Sequence, residues 1–281
     1  MYSLTGKVVI VTGGASGIGA AIATQATQRG AQVIRMDISP DPTAAAPDAD
    51  GRPTFLTADV SDRSSIQAAV DTVLEAYGRI DVAIANAGVA GKVSKTVAVT
   101  PDEEFARVLG VNLFGVWNTV KAALPAVTEA RGHLLLTAST YAYVNGMANA
   151  PYAVSKAGVE SLARSMRAEL AGSGVTVGAL LPGWVATPIT DIVYGADPLA
   201  TQLAAAAIPG PLLKPTTPEK LAAAAIRGIE KRSRATVYPP LWKPTSYIRG
   251  VMNPIIDRKI ERSSKIRALI AQVEDRGNRG S

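Results

Sequence analysis

The chain has 281 residues, 47% hydrophobic and 19% charged, which excludes global disorder and leaves ample apolar material for a large core. It has no cysteine and one histidine, His133, which excludes disulfides, thiolate catalysis and Cys-ligated metal and argues against a His-based triad, so no metal is expected. The formal charge of +6 is uneven: residues 227–281 hold 13 Lys and Arg against 5 Asp and Glu, and the other 226 residues carry a net −2.

At the N-terminus, MYSLTGK runs into an apolar stretch that reads as a core strand rather than a secretory signal. No run of about 18 apolar residues occurs, so a membrane-spanning helix is not expected and the cytoplasm is the default location. KVVIVT (7–12) reads as a strand, with a helical pattern over 17–29. QVIRMD (32–37) is the second strand, followed by a Pro/Ala/Asp-rich loop over 39–53. PTFLTADV (53–60) precedes a helix over 62–77. IDVAIANAG (80–88) precedes two helical stretches, about 101–110 and 111–130. GHLLLTAS (132–139) leads into the helix that carries PYAVSKAGVE (151–160). GVTVGALLP (174–182) opens a Pro-interrupted region over 188–218. A helix over 218–232, a short run ATVYPP (235–240) and a basic tail with helical stretches complete the chain. The runs are apolar throughout rather than alternating, as strands buried on both faces of a parallel sheet must be. Repeated βα units then predict an α/β Rossmann-type, doubly wound sheet of about seven strands flanked by helices, with a C-terminal helical extension.

TGGASGIG (12–19) falls where the first strand turns into a helix. Gly13, Gly17 and Gly19 let the backbone turn tightly and approach a pyrophosphate, and the helix N-terminus faces that charge. Asp37 ends the second strand, where a carboxylate accepts both ribose hydroxyls of an adenosine and repels a 2′-phosphate. With Ser16 rather than a base at position 16, NAD is expected, and NADP is the alternative. Arg35 is the counter-argument, since strand alternation puts it on the face of Asp37. Asp59 either reaches the adenine or caps the helix from 62.

Tyr152 and Lys156 lie at i and i+4, on one helix face. A phenol titrates near 10, and a nearby ammonium favours its anion, which makes Tyr152 a general acid/base for an alcohol or carbonyl. Ser139 ends the preceding strand, where it can bond the reacting oxygen or cap a turn. His133 starts a buried strand and reads as structural.

Taken in order, TGGASGIG, DV (59–60), NAG (86–88), Asn112 in VNLFG, Ser139 in TAST, YAVSK (152–156) and PGWVATP (182–188) resemble the short-chain dehydrogenase/reductase family, in its single-domain subtype, over residues 4–240. The residue before NAG is Ala85, where many members carry Asn. The resemblance implies catalysis by Asn112, Ser139, Tyr152 and Lys156, with Asn112 supporting a water in a proton relay and Lys156 also holding the nicotinamide ribose. It implies cofactor contacts from Ser16, Ile18, Ile38 and Val60 beside the glycines and acids, from Asn86, Ala87 and Gly88, and from Pro182, Gly183, Val185 and Thr187 at the nicotinamide. Residues 1–240 then form the dinucleotide-binding and catalytic domain, with a substrate lid about 188–218, and 241–281 a basic helical extension.

Substrate contacts are expected from Ser139, Tyr141, Asn145, Tyr152 and Trp184, with YAYVNGM (141–147) lining a wall. That lining is apolar and aromatic, which points to a neutral, hydrophobic secondary alcohol or its ketone. The same residues fit NADPH-dependent carbonyl reduction, and a fold retained as a non-catalytic NAD sensor is a third reading. A homo-oligomer, dimer or tetramer, is implied, although the unusual end after residue 240 puts the common four-subunit packing in doubt. The tail packs on a neighbouring subunit or over the active site, or makes a peripheral membrane contact; nucleic-acid binding is not expected.

Overall fold

Val8–Thr12 (β1) shows why the strands read as unbroken apolar runs. Val8 and Ile10 enter one core and Val9 and Val11 the other, so both faces of the strand are dry. The computed structural model describes residues 1–40, 46–187, 190 and 197–279. The sheet continues through Gln32–Asp37 (β2), Phe55–Thr57 (β3), Val82–Ala85 (β4), His133–Thr137 (β5), Thr176–Pro182 (β6) and Ala235–Tyr238 (β7). Its order is β3-β2-β1-β4-β5-β6-β7 and every pairing is parallel. This is the doubly wound, seven-stranded Rossmann-like sheet expected from the sequence.

Helices Gly17–Gln28 (α1) and Pro218–Glu230 (α8) cover one face; Arg63–Tyr77 (α2), Gly115–Glu129 (α4) and Ala150–Glu169 (α5) cover the other. Asp62 caps α2 by accepting from the Ser64 N–H at 2.8 Å. Asp59 therefore does not cap that helix; its carboxylate accepts from the Ser61 N–H and hydroxyl at 2.8 and 2.7 Å. Asp102–Leu109 (α3) runs into α4 through a π-helical turn, Gly110–Phe114, where the sequence predicts two separate stretches.

The predicted lid, 188–218, lies partly outside the described residues. Within it, Pro198–Ala207 (α6) and the short turn Gly210–Leu213 (α7) are helical. Beyond β7 come Lys243–Arg262 (α9) and Ser264–Arg279 (α10). Helix α9 buries none of its residues, whereas α10 buries Ile266, Leu269 and Val273 against Leu203 of α6 and Ala148. Among the described residues, no helix is long and apolar enough to cross a membrane.

Candidate active site

The strand order reverses between β1 and β4, which opens a crevice at the carboxyl ends of the strands. A cleft of about 320 Å³ lies there. Its floor is the turn after β1. Gly13 adopts φ +65°, and a Cβ on it would stand 2.7 Å from Ala87 Cα. A Cβ on Gly19 would overlap the carbonyl oxygen of Gly13. These contacts hold the turn and the NAG segment together. Asn86 Nδ2 donates to the carbonyls of Thr12 (3.1 Å) and Gly13 (3.3 Å), and Thr12 Oγ1 accepts from the N–H groups of Asn86 (3.0 Å) and Ala87 (3.3 Å). Thr12 is a structural partner that the sequence reading misses. Its position as the last residue of β1, beside the glycines, is the one signal for it.

Ser16 precedes α1 with no side-chain cap, so the first amides of that helix face the cleft without a serine oxygen on them. Asp37 lines the cleft and accepts from the N–H groups of Ala15 (3.0 Å) and Ser39 (3.1 Å). Gly13, Ser16, Gly17, Ile18, Ile38, Asp59, Val60, Asn86, Ala87, Gly88, Pro182, Gly183, Val185 and Thr187 line the same cleft. Gly19 lies behind it, against Gly13. Arg35 turns its side chain onto Gly14, where a Cβ would meet the Arg35 Cβ at 2.8 Å. The residues fit a dinucleotide: a Cβ on Gly17 would stand 3.5 Å from Thr187 across the cleft, so glycine leaves backbone bare there, and uncapped amides stand at the helix start.

At the far end of the cleft stand Ser139, Tyr152 and Lys156. Lys156 is 3% exposed and donates from Nζ to the Thr137 carbonyl at 2.9 Å; its Nζ lies 5.6 Å from the Tyr152 ring centre. Burial pulls the Lys156 ammonium down from 10.5 to about 8. The sequence leads one to expect a Tyr152 phenol lowered by its neighbour. Instead burial raises it, and the hydrogen bond with Ser139 offsets this only in part. Desolvation is the larger effect because the phenol lies deep in the cleft.

Asn112 sits in the π-helical turn, fully buried. Its Oδ1 accepts from the Val89 N–H at 2.7 Å, and Nδ2 donates to the Val89 carbonyl and to Ser155 Oγ, both at 3.0 Å. The extra residue of the π turn directs this side chain inward. A small recess of about 50 Å³ adjoins Tyr152 and is walled by Ser139, Tyr141, Trp184, Ala90, Thr140, Asn149 and Thr190. Tyr141 packs edge-on to Tyr152 (5.7 Å) and to Trp184 (6.1 Å). Tyr141 and Trp184 are expected from the sequence, whereas Ala90, Thr140, Asn149 and Thr190 are not; Asn149, the residue before α5, is the one with a positional signal.

Asn145 is a correction. It is exposed and donates from Nδ2 to Asp257 of α9 at 2.9 Å, away from the recess. Met147 packs with Leu203 and α10, so the wall expected from 141–147 ends near Tyr141. His133 lies at the opposite end of β5, its Nδ1 2.8 Å from Thr176 Oγ1, and burial lowers it to about 3.

This combination of sheet, glycine turn and Tyr–Lys helix defines a Rossmann-fold oxidoreductase that binds NAD(P). The family model described as short chain dehydrogenase matches residues 7–195, and the chain belongs to that family. Among its relatives, Oxidoreductase UcpA of Salmonella typhimurium is 37% identical over 198 residues, covering 69% of this chain and 74% of the relative. The mitochondrial borneol dehydrogenase of Lavandula x intermedia is 36% identical over 188 residues, 66% of this chain and 72% of that protein. A short-chain dehydrogenase/reductase from Burkholderia phymatum, solved in complex with NAD, superposes with a TM-score of 0.74 at 26% identity, covering 94% of this chain and 98% of that one.

Proposed function

We propose that the chain is an NAD-dependent dehydrogenase that interconverts a hydrophobic secondary alcohol and its ketone. The observation that carries this reading is one cleft with Asp37 at its adenosine end and Ser139, Tyr152 and Lys156 at the other. Lys156 is the one Lys or Arg lining that cleft among the described residues, so a 2′-phosphate near Asp37 would meet a carboxylate there, with Arg35 turned onto Gly14 outside the lining. A bound nicotinamide supplies the hydride chemistry. The glycine turn and the start of α1 hold the pyrophosphate; Pro182, Gly183, Val185 and Thr187 hold the carboxamide end; Asn86, Ala87 and Gly88 back the ribose, which Lys156 bonds.

Tyr152 exchanges the proton of the reacting oxygen and Ser139 steadies that oxygen. The Lys156 ammonium, 5.6 Å from the Tyr152 ring centre, favours the phenolate and so works against the burial that raises the phenol. Lys156 therefore serves the anion, not the neutral phenol. The proton then leaves past Asn112. Asn112 Oδ1 and Lys156 Nζ both lie beside Gly88, 3.3 and 3.4 Å from where a Cβ on it would stand, and this proximity supports a relay past Asn112.

Tyr141 and Trp184 give the recess its aromatic walls, which supports a hydrophobic substrate, and the name of the lavender relative points the same way. Phe105, Phe114, Trp117 and Val154 stay exposed on α3, the π turn, α4 and α5, which supports a homo-oligomer; a cytoplasmic location is part of the same reading.

Parallel calorimetric titration with NAD⁺ and NADP⁺ tests the cofactor. Tighter NAD⁺, inverted or levelled by Asp37→Ala, is the expected result; tighter NADP⁺ would refute the Asp37 argument in favour of an NADPH-dependent reductase. Tyr152→Phe should lower turnover at least about 100-fold while dinucleotide still binds. A wild type without turnover on alcohols and ketones would instead leave an NAD-binding sensor, and an unchanged rate in Tyr152→Phe would refute Tyr152 as the acid/base.

A further inference from the structure

Helix α9 is amphipathic with its faces exchanged. The side facing the body is held by polar contacts: Arg249 Nη1 on Glu160 Oε2 (2.7 Å), Asn253 Nδ2 on the Tyr143 carbonyl (2.8 Å) and Asp257 under Asn145. The outward side carries Tyr247 (84% exposed), Ile248 (49%), Val251 (71%) and Ile255 (60%), at helical spacing. A helix that borders only water presents the opposite pattern.

Cations bound this apolar stripe at both ends. Lys243 stands before it, and Arg258, Lys259 and Arg262 occupy the last turns, all exposed. Among the described residues none of these four has a carboxylate partner. Residues 243–267 hold seven Lys and Arg against two Asp and Glu. A second copy of the same face fits poorly. Parallel or antiparallel, pairing would set cation against cation at both ends.

We propose that α9 docks the protein on an anionic lipid surface. The helix lies in the plane of the interface, with Tyr247, Ile248, Val251 and Ile255 at the headgroup boundary and the flanking cations on lipid phosphates. The helix stays anchored to the body by Glu160, Tyr143 and Asn145. Tyr143 and Asn145 follow Tyr141 of the recess, so docking brings the substrate end of the molecule near the bilayer. That orientation suits the hydrophobic substrate proposed above, but the docking does not depend on the substrate's identity.

Co-sedimentation of the full-length chain with phosphatidylcholine vesicles, alone or with about one quarter phosphatidylglycerol, tests this without any turnover assay. The wild type should sediment only with the anionic vesicles and be released by high salt. Each of Arg258, Lys259 and Arg262 removed weakens partitioning about fivefold, so the triple change to Glu weakens it at least about 100-fold. Tyr247→Gln/Val251→Gln/Ile255→Gln should abolish sedimentation while NAD⁺ binding and the melting temperature stay at wild-type values. A wild type that ignores anionic vesicles, or an apolar triple variant that sediments like wild type, overturns the proposal. A wild-type assembly that the apolar variant breaks in ultracentrifugation, with no vesicle binding by either, would assign the face to a second copy and overturn it equally.

Discussion

Arg276→Met asks what the last helix contributes. Asp197 has 1% of its side chain accessible. It caps α6 through the N–H groups of Leu199 (3.0 Å) and Ala200 (3.3 Å) and accepts from the Ser94 N–H at 2.9 Å. Arg276 of α10 adds two donors at 2.8 and 3.0 Å and gives another to the Ser94 carbonyl at 2.6 Å. Burial raises the Asp197 carboxyl, but the Arg276 donors and the backbone N–H groups outweigh it and hold the group below the usual carboxylate range. Breaking a buried pair costs about 3–5 kcal/mol. Here Arg276 keeps 34% of its side chain accessible and three backbone donors remain on Asp197, so about 2–3 kcal/mol is expected. Met preserves the packing of the stem against α6. Urea unfolding followed by tryptophan emission reads the difference at pH 7. Because the folded carboxyl titrates below its unfolded value near 4, its contribution is complete above about pH 4 and fades as pH falls through the folded value. The gap between variant and wild type therefore narrows in acid. A double-mutant cycle with Asp197→Asn should give a coupling of about 1–3 kcal/mol. A loss under about 0.5 kcal/mol, or a gap that persists unchanged below pH 3, would refute the reasoning.

Lys156→Met removes a cation that burial disfavours. The shift from 10.5 to about 8 corresponds to about 3 kcal/mol, less about 1 for the hydrogen bond to Thr137, so the dinucleotide-free variant should be about 2 kcal/mol more stable at pH 7. Wild-type stability rises between about pH 8 and 10.5, where only the unfolded chain holds that proton, so the advantage should shrink across that window while turnover is lost; a constant advantage would contradict this origin. Gly19→Ala forces a methyl onto the Gly13 carbonyl and should abolish dinucleotide binding by calorimetry, whereas normal affinity would mean the turn is free to shift. Asn145→Ala should leave KM and kcat untouched and cost about 1 kcal/mol in denaturation, and a raised KM would return Asn145 to the recess.

The chain discloses its sheet because β1, β4, β5 and β6 are dry on both faces and therefore continuous in apolar residues. The edge is less legible: PTFLTADV reads as one long strand, yet only Phe55–Thr57 joins the ladder, because an edge strand has a neighbour on one side only. The Tyr152–Lys156 face and the glycine turn are readable because local geometry fixes them. The partners of Asn145 and Asp197 are not, since Asp257 and Arg276 lie 112 and 79 residues away and packing alone brings them together. Helix α9 marks the boundary most sharply. Its spacing discloses two unlike faces, but a period carries no sign. The inward face is held by Glu160, Tyr143 and Asn145, three residues distant in sequence that offer α9 polar anchors, with Ile260 near its end packing against the Leu203–Leu269 cluster. The apolar face is left outward with cations at both ends, an inversion that no periodicity discloses and on which the proposed docking rests.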